Sequence, residues 1–387
     1  IRDRDNQMSV MLHPEKPVML VPDVSDVDAF LHNVKPSKIV EDSSGTMFLA
    51  APHNSDTVRM AKNMGIDVPS SLSTRYNWPG RFDPYDYQRT AAEFLTLHHR
   101  CLNLSDMGTG KTPTALWAAD HLMNEGLIKR VLVLTTMSCL HAVWEREIMH
   151  VTPHRRSVVL HAPRAKRRAM AEESLAEYLI LNHDGVGVIH DILMKRKDID
   201  LIIYDEASAL KNGQTARFKM LQSLLKKWGP RLWLLTGTPT PSAPTDAWAL
   251  GRMVNPFVAD KNPQGTPRSF VRFRDMCMRQ AGPYKWVSRP NAQVVVRTIL
   301  QPAIRFKKED CVDLPPVTYM ERETPLSKEQ TKAFNEIKKQ LVTNAKTEKQ
   351  EGVVVTAINA AAKLSKLLQI CGGAVYSDDG RIGKLPM

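Results

Sequence analysis

The stretch that decides the fold reads Ser105-Asp106-Met107-Gly108-Thr109-Gly110-Lys111-Thr112 and follows the short apolar run Cys101–Leu104. A glycine-rich turn between a strand and a helix can wrap its backbone N–H groups around phosphate oxygens. Gly108 and Gly110 permit this close approach, and Thr109 lies between them. The strict form of the pattern has glycine in place of Ser105, so the turn alone is a weak indication and an ordinary surface turn is the alternative.

Side chains from this turn and from a later strand end can complete a nucleotide site. Lys111 is placed to reach the β- and γ-phosphates, and the Thr112 hydroxyl is placed to ligate Mg²⁺. The apolar run Leu201–Tyr204 ends in Asp205, which can hold the metal, and Glu206, which can polarise the attacking water. An isolated Asp-Glu pair is more often a solvated strand end. Strand, turn, helix and a second strand ending in Asp-Glu together favour a catalytic site for ATP and Mg²⁺.

Short apolar runs alternate with helical patterns around these motifs. The predicted strands are Cys101–Leu104, Val131–Leu134, Ser157–Leu160, Tyr178–Leu181, Leu201–Tyr204 and Leu232–Leu235. The predicted helices are Thr114–Asn124, Leu140–His150, Arg164–Leu175 and Thr215–Lys227. Apolar strands without polar alternation indicate a sheet buried on both faces, so we expect an α/β fold with a doubly wound parallel sheet. Ligands then bind at the carboxyl ends of the strands, where both motifs lie.

Taken together, these segments resemble the first motor lobe of a superfamily two helicase or translocase, most closely the Swi/Snf-type DNA-dependent ATPases. That family has an Asp-Glu-Met-Gly-x-Gly-Lys-Thr turn, which this chain matches from Met107 onward. Further matches are Tyr87-Gln88, Leu235-Thr236-Gly237-Thr238-Pro239, Asp246-Ala247-Trp248, Ile304–Asp310 and Leu314-Pro315-Pro316. The resemblance extends over roughly residues 80–387 and departs at Ser208, where the commonest family motif has histidine.

The resemblance implies a RecA-like lobe and assigns roles to further residues. In the family, residues matching Tyr87 and Gln88 recognise adenine. Three residues would couple the ATP site to the DNA groove, namely Thr236, Gly237 and Thr238. Four residues in loops after predicted strands would contact nucleic acid, namely Thr136, Ser138, Asn182 and His183. The Ser/Thr run could equally be a helix N-cap that binds no ligand.

The sequence divides into four predicted parts. Residues 1–75 form a small α+β N-terminal accessory domain that contacts DNA or a protein partner, or only packs against the rest. Residues 76–254 form the RecA-like ATP-binding motor lobe, and residues 255–325 form a helical protrusion and brace. Residues 326–387 are helices leading to a second motor lobe beyond this chain, which the resemblance implies would supply an arginine to the γ-phosphate.

Local patterns predict elements in the outer parts of the chain. In the N-terminal domain they are the strands Val18–Val21, Lys38–Val40 and Met47–Ala50, the helix Asp56–Met64 and a Ser-rich linker, Pro69–Ser73. Ser327 and Gln330 form a predicted capping box for a helix that extends to about Ala345. A second helix, Ala357–Ile370, has one apolar face formed by Ala361, Leu364, Leu367 and Leu368.

Composition agrees with an intracellular partner of nucleic acid. The chain has 387 residues and a net charge of +12, an excess of Lys and Arg that favours a polyanion, although a generically basic protein is the alternative. Its 5 cysteines show no paired metal spacing, which predicts reduced thiols. No apolar run approaches the roughly 18 residues that a membrane span needs, so no membrane partner is expected. The protein would be cytoplasmic in a bacterium or phage host and nuclear in a eukaryote.

The sequence therefore predicts an ATP-dependent DNA translocase or helicase that acts on double-stranded or branched DNA. One rival is an RNA helicase, against which the helical protrusion and the Leu-Pro-Pro signature argue. Another is a nucleic-acid scaffold that binds ATP without turnover, against which the intact Lys111 and Glu206 argue.

Overall fold

The computed structural model describes residues 10–22, 24, 26–256, 269–283, 285–311, 318–338, 357–376 and 382–384. The chain forms two compact units, Ile1–Leu314 and Pro315–Met387. The larger unit contains the predicted parallel sheet and, ahead of it, a small antiparallel sheet. None of the described helices is long and apolar enough to cross a membrane.

The small antiparallel sheet belongs to the N-terminal domain. Its strands lie in the order β1-β2-β4-β3, with bounds β1 Met11–Leu12, β2 Val18–Val21, β3 Lys38–Glu41 and β4 Met47–Pro52. Two helices, α1 (Val27–Asn33) and α2 (Ser55–Asn63), close a core around the buried side chains of Met19, Phe30 and Val58. The predicted strands and helix of this region are confirmed, because their apolar residues alternate or recur as those elements require.

The predicted Ser-rich linker is wrong. Ser70 caps a short helix, α3 (Ser71–Arg75), by accepting a hydrogen bond from the Ser73 amide. Leu72 and Ser71 are buried. Serine favours helix N-caps as strongly as it favours loops, and here the cap prevails because Leu72 gives the turn an apolar side chain to bury.

The second sheet carries the motor lobe. Six of its strands are β5 Arg100–Asn103, β6 Val131–Thr135, β7 Ser157–Val159, β8 Tyr178–Asn182, β9 Leu201–Asp205 and β10 Arg231–Leu235. All pair in parallel, in the order β5-β10-β9-β6-β8-β7. In β10, Leu232 and Leu234 pack into one apolar cluster, whereas Trp233 and Leu235 pack into another on the opposite face. Both faces are therefore buried, as the uninterrupted apolar runs predicted.

Helices cover both faces of this sheet. Their bounds are α4 Asp86–Leu97, α5 Lys111–Asn124, α6 Arg146–Val151, α7 Arg164–Glu173, α8 Val186–Leu193, α9 Ala216–Trp228 and α10 Ala247–Val254. The predicted helix Leu140–His150 begins with a π-helical turn, Leu140–Glu145, and continues as α6. The predicted doubly wound α/β fold is confirmed.

The segment after α10 is less helical than expected. Between the helices α11 (Phe270–Cys277) and α12 (Ala292–Ile299) lies an antiparallel hairpin formed by β11 (Met278–Gly282) and β12 (Lys285–Ser288). The chain then returns to the large sheet as β13 (Ala303–Ile304), which pairs in parallel with β5 and makes seven strands. A short helix, Lys308–Cys311, follows. The predicted Leu314-Pro315-Pro316 signature lies outside the described residues.

In the smaller unit the predicted capping box is confirmed. The Ser327 amide donates to Gln330 Oε1 at 2.9 Å, and the Gln330 amide donates to Ser327 Oγ at 3.2 Å. The helix is described over residues 328–338, and its predicted remainder lies outside the described residues. The second helix spans Ala357–Cys371 and is followed by a hairpin of Ala374–Tyr376 and Ile382–Lys384. On its predicted apolar face Leu367 is buried, whereas Leu364 and Leu368 are exposed.

The N-terminal domain meets the motor lobe where the parallel strands begin. The Arg231 guanidinium, at the start of β10, donates to Asp56 Oδ1 of α2 at 2.7 Å. The backbone amide of Ser55 donates to the carboxylate of Glu125, just beyond α5, at 3.1 Å. Arg231 is buried and Asp56 is half-buried, so this junction combines a partly shielded ion pair with a backbone hydrogen bond to a carboxylate.

Candidate active site

The glycine-rich turn has the backbone conformation that its sequence requires. Gly108 and Gly110 adopt φ values of +82° and +75°, in the left-handed region that side chains disfavour. A Cβ atom on Gly110 would overlap the side-chain amide of Gln88. Thr109 closes the turn, since its hydroxyl donates to the Asp106 carbonyl at 2.8 Å. The loop is therefore a backbone cradle of the kind that binds phosphate.

Lys111 opens α5 and lies against the loop. Its ammonium donates to the carbonyls of Ser105 at 2.9 Å and Asp106 at 3.0 Å. Burial lowers the pKa of Lys111, while Glu206, Asp205 and Asp106 oppose that shift electrostatically. The predicted catalytic side chains thus come close enough for their charges to interact.

Asp205, at the end of β9, has a carboxylate held by three donors. Thr135 Oγ1 and Trp144 Nε1 each donate to Oδ2 at 2.9 Å. The amide of Glu206 donates to Oδ1 at 3.0 Å. Neither Thr135 nor Trp144 was predicted to serve this site, because nothing local in the sequence connects them to residue 205.

Glu206 combines a strained backbone with a perturbed carboxyl group. Its φ of +50° is unusual for a residue with a side chain and costs on the order of 1 kcal/mol or more, a strain that clusters at active sites. Burial and the neighbouring Asp205 carboxylate raise the pKa of Glu206, and Lys111 opposes the rise. A raised carboxyl pKa suits a group that orients and deprotonates water near neutral pH.

The oxygen donors fit Mg²⁺ with a triphosphate. Thr112 is the second residue of α5, next to Lys111, and Asp205 is the last residue of β9. Mg²⁺ prefers oxygen ligands and is commonly held by one or two protein groups together with substrate phosphates and water.

The predicted coupling motif lies directly against the phosphate loop. The Thr236 amide donates to the Asn103 carbonyl at 3.1 Å, and Thr236 is fully buried. A Cβ atom on Gly237 would lie 3.4 Å from the carbonyl oxygen of Ser105, in van der Waals contact, so the two loops are neighbours. The Thr238 amide donates to Thr236 Oγ1 at 3.2 Å. Coupling of the ATP site to the DNA groove through Thr236, Gly237 and Thr238 stays a prediction.

This ordered set of motifs agrees with a family comparison. The chain matches the SNF2-related domain over residues 70–372. It belongs to that family. The resemblance to Swi/Snf-type ATPases is thereby confirmed, and with it the RecA-like character of the lobe.

Individual relatives of this SNF2-related domain come from a phage and from eukaryotes. "Putative protein p41" of Acyrthosiphon pisum secondary endosymbiont phage 1 is 26% identical over 319 residues, covering 78% of this chain and 66% of that protein. The chromatin-remodeling ATPase INO80 of Lodderomyces elongisporus is 30% identical over 168 residues, covering 41% of this chain and 10% of that protein. This chain spans about two thirds of the phage protein and a tenth of the remodeler.

Among solved structures, the Sulfolobus solfataricus SWI2/SNF2 ATPase core in complex with dsDNA is similar to this chain. The TM-score is 0.45 at 24% identity, covering 76% of this chain and 59% of that chain. A second structure of that Sulfolobus core domain matches with a TM-score of 0.43 at 21% identity.

The predicted adenine residues lie at the start of α4 in this SNF2-related domain. Gln88 is buried, and its side chain accepts from the Tyr85 amide at 3.0 Å and donates to the Thr109 carbonyl at 3.2 Å. Tyr87 stacks on Tyr85 with a centroid separation of 5.6 Å. Gln88 therefore ties α4 to the phosphate loop, and recognition of adenine by Tyr87 and Gln88 stays a prediction.

The four predicted nucleic-acid residues fall into two kinds. Ser138 is exposed and Thr136 half-buried, and their hydroxyls are 3.3 Å apart at the loop after β6. Asn182 and His183 are buried. His183 Nε2 hydrogen-bonds the Asp205 carbonyl at 2.9 Å, and its ring stacks on Tyr204. The burial of His183 favours a role in holding Asp205, and its contact with DNA stays untested.

A second missed feature is the segment beside the phosphate loop. The Phe306 amide donates to Ser105 Oγ at 3.1 Å, and the Lys308 amide donates to Asp106 Oδ2 at 3.1 Å. Arg305 adds an ion pair with Asp106 at 3.5 Å. Ser105 and Asp106 are the positions where the loop departs from the family pattern, and both side chains bind this segment.

Proposed function

We propose that this protein is a DNA-dependent ATPase that moves along or remodels double-stranded DNA. The observation that carries the proposal is the convergence of Lys111, Asp205 and Glu206 at the carboxyl edge of a parallel sheet in a chain of the SNF2-related family. Three side chains of these types, with interacting charges beside a backbone cradle for phosphate, suit hydrolysis of a nucleoside triphosphate.

Each residue would have a separate task in hydrolysis. The backbone amides around Gly108 and Gly110 would bind phosphate oxygens, and Lys111 would neutralise their charge. Thr112 and Asp205 would hold Mg²⁺, which neutralises the charge that develops on the phosphates. Glu206 would accept a proton from the attacking water, a task that suits its raised pKa.

Two observations support DNA as the partner. The net charge of +12 favours a polyanion, because bound Lys and Arg release the counterions of phosphates. The loop after β6 exposes Ser138 and the neighbouring Met137 beside the half-buried Thr136, and hydroxyl groups are common ligands of DNA phosphates. We expect binding with little sequence preference, at a site inside the cell.

A comparison of polymers tests this function. ATP hydrolysis by the full-length protein would be measured with duplex DNA, single-stranded DNA and RNA at several salt concentrations. We expect the largest stimulation by duplex DNA, and an affinity that falls by about 0.9 log units per log unit of salt for each phosphate neutralised.

The variant Lys111→Ala is the control for contaminating ATPases, because it should lose nucleotide binding. Preferential stimulation by RNA would favour the RNA-helicase alternative. ATP binding without hydrolysis under every condition would favour the scaffold.

A further inference from the structure

Resting on the proposed ATPase function, we propose that Trp144 and Thr135 are positioning residues that orient the Asp205 carboxylate toward Mg²⁺. Removing either donor should weaken the metal-dependent part of nucleotide binding and leave the metal-free part unchanged. The roles assigned above to Lys111, Asp205 and Glu206 do not include these two donors.

The first argument is the geometry around Asp205. Both Thr135 Oγ1 and Trp144 Nε1 donate to the same oxygen, Oδ2, at 2.9 Å, whereas the Glu206 amide donates to Oδ1. A carboxylate with donors on both oxygens has a fixed rotation about its Cβ–Cγ bond. Hydrogen bonds that fix the orientation of a metal ligand commonly change metal affinity by about 10- to 100-fold.

The second argument is burial. Thr135 and Trp144 are both fully buried, with 0% of their surface exposed. Water cannot replace the indole N–H or the hydroxyl at this position, so the loss of either leaves Oδ2 with a single donor and the carboxylate less firmly oriented. The same shielding strengthens the hydrogen bonds, because the surrounding dielectric is low.

The third argument is where the chain places the indole. Trp144 lies in the π-helical turn Leu140–Glu145, and π-helical turns inside helices occur frequently at functional sites. Thr135 is the last residue of β6, which pairs with β9 in parallel register up to Leu134 and Tyr204. Strand pairing thus fixes the position of the Thr135 hydroxyl, and the π-helical turn positions the indole N–H of Trp144.

The competing explanation is that Trp144 only fills the core, and the chain contains a matched control for it. Trp117 belongs to the same apolar cluster, is 1% exposed, and donates its indole N–H to the Pro79 carbonyl at 3.0 Å. Trp117→Phe and Trp144→Phe each remove one indole N–H bond from this cluster. Only Trp144 donates to Asp205.

The test is calorimetric titration of a non-hydrolysable ATP analogue into the full-length protein, with Mg²⁺ varied and with EDTA present. For Trp144→Phe we expect the Mg²⁺ concentration at half-maximal enhancement of binding to rise by about 10- to 100-fold. Binding in EDTA should equal that of the wild type. Thr135→Val, which keeps the side-chain shape, should change in the same direction, and Trp117→Phe should not change.

Three outcomes would overturn the proposal. Trp144→Phe and Trp117→Phe could have the same Mg²⁺ dependence, or Trp144→Phe could lose metal-free binding as severely as metal-dependent binding. If Trp144→Phe does not fold, a wild-type Mg²⁺ dependence of nucleotide binding in Thr135→Val would also overturn the proposal. A wild-type protein that binds no ATP analogue at any Mg²⁺ concentration would instead refute the proposed function, so the two failures are distinguishable.

Discussion

The two edges of the large sheet use charge in opposite ways. At the amino edge, Arg231 is paired with Asp56, and the fully buried Asp120 of α5 accepts hydrogen bonds from four side chains, Tyr76, Asn124, His154 and Arg155. At the carboxyl edge, the Lys111 ammonium donates to backbone carbonyls instead, and the pKa values of Lys111 and Glu206 are shifted toward their neutral forms.

This difference separates charges that stabilise the fold from charges kept for a ligand. A buried charge with full partners is costly to disrupt, since removing one partner leaves the other uncompensated. A buried charge whose pKa moves toward neutrality is held in an unfavourable state, which is typical of functional sites. Substitutions of the paired charges at the amino edge should therefore lower stability, and substitutions of Lys111 or Glu206 at the carboxyl edge should lower activity while sparing stability.

The largest effect is expected for Glu206→Gln, at the carboxyl edge. Turnover should fall by about a thousandfold, because the water loses its proton acceptor, while binding of Mg·ATP is kept. Thermal stability should not fall, since the substitution removes a half-buried negative charge beside Asp205. Single-turnover hydrolysis and a melting curve on the same preparation measure both. Wild-type turnover would contradict the role of Glu206.

Next in size is Asp120→Ala, at the amino edge. Its removal leaves Arg155, His154 and the Tyr76 hydroxyl without their shared acceptor, which should cost about 3 kcal/mol of unfolding free energy. Denaturant unfolding measures this loss. The control is Asp191→Ala, which removes an exposed carboxylate paired with Arg168 and should change stability little. Equal losses in the two variants would show that burial does not decide the effect.

A smaller effect is expected for Asp56→Asn, which breaks the pair with Arg231. The free energy of unfolding should fall by about 2 kcal/mol at neutral pH, because a charge-assisted bond to a buried guanidinium is weakened. Burial opposes the shift, but His99 and Arg231 hold the pKa of Asp56 below its ordinary range. Such a carboxylate contributes stability above its unfolded pKa of about 3.9, and the contribution is lost as the pH falls further.

Unfolding of wild type and Asp56→Asn measured from pH 7 downward tests this dependence. The stability difference should persist above the unfolded pKa and shrink below it. A difference that is constant over the whole range would mean that the pair contributes through packing rather than charge.

The smallest effect is expected for Ser105→Ala, within the phosphate loop. The substitution removes the acceptor of the Phe306 amide and should cost about 1 kcal/mol of stability. Ser105→Thr keeps the hydroxyl and is the matched control. Suppose that the free energy of nucleotide binding weakens by more than the free energy of unfolding. The bond to Phe306 then contributes more to the phosphate loop than to the stability of the fold.

How much could be predicted from sequence depends on the range of the interactions. The strands β5, β6, β8, β9 and β10 were predicted within one or two residues, because each is a local run of apolar side chains buried on both faces. Lys111 follows the glycine-rich turn and Glu206 follows a strand, as the local patterns predicted, and their catalytic roles stay predictions. Periodicity alone describes Leu140–His150 as one continuous α-helix, whereas its first part, Leu140–Glu145, is a π-helical turn.

The missed features either depend on distant partners or lack a local apolar pattern. Trp144 reaches Asp205 from 61 residues away, and no local pattern marks its N–H as a donor to that carboxylate. The hairpin of Met278–Gly282 and Lys285–Ser288 carries little apolar alternation. The strand Ala303–Ile304 is only two residues long, so its pairing with β5 has no periodic signal at all.

That two-residue strand also bears on how the protein is made. A ribosome releases the chain from its N-terminus at about 5–20 residues per second, so the phosphate loop emerges long before its neighbour. Phe306 lies 201 residues after Ser105. Until the strand Ala303–Ile304 has been synthesised, β5 lacks its outer partner and offers unpaired amides to any other strand. A truncated product that stops before residue 303 would therefore carry an intact phosphate-loop sequence but an unsupported loop and a surface prone to aggregation.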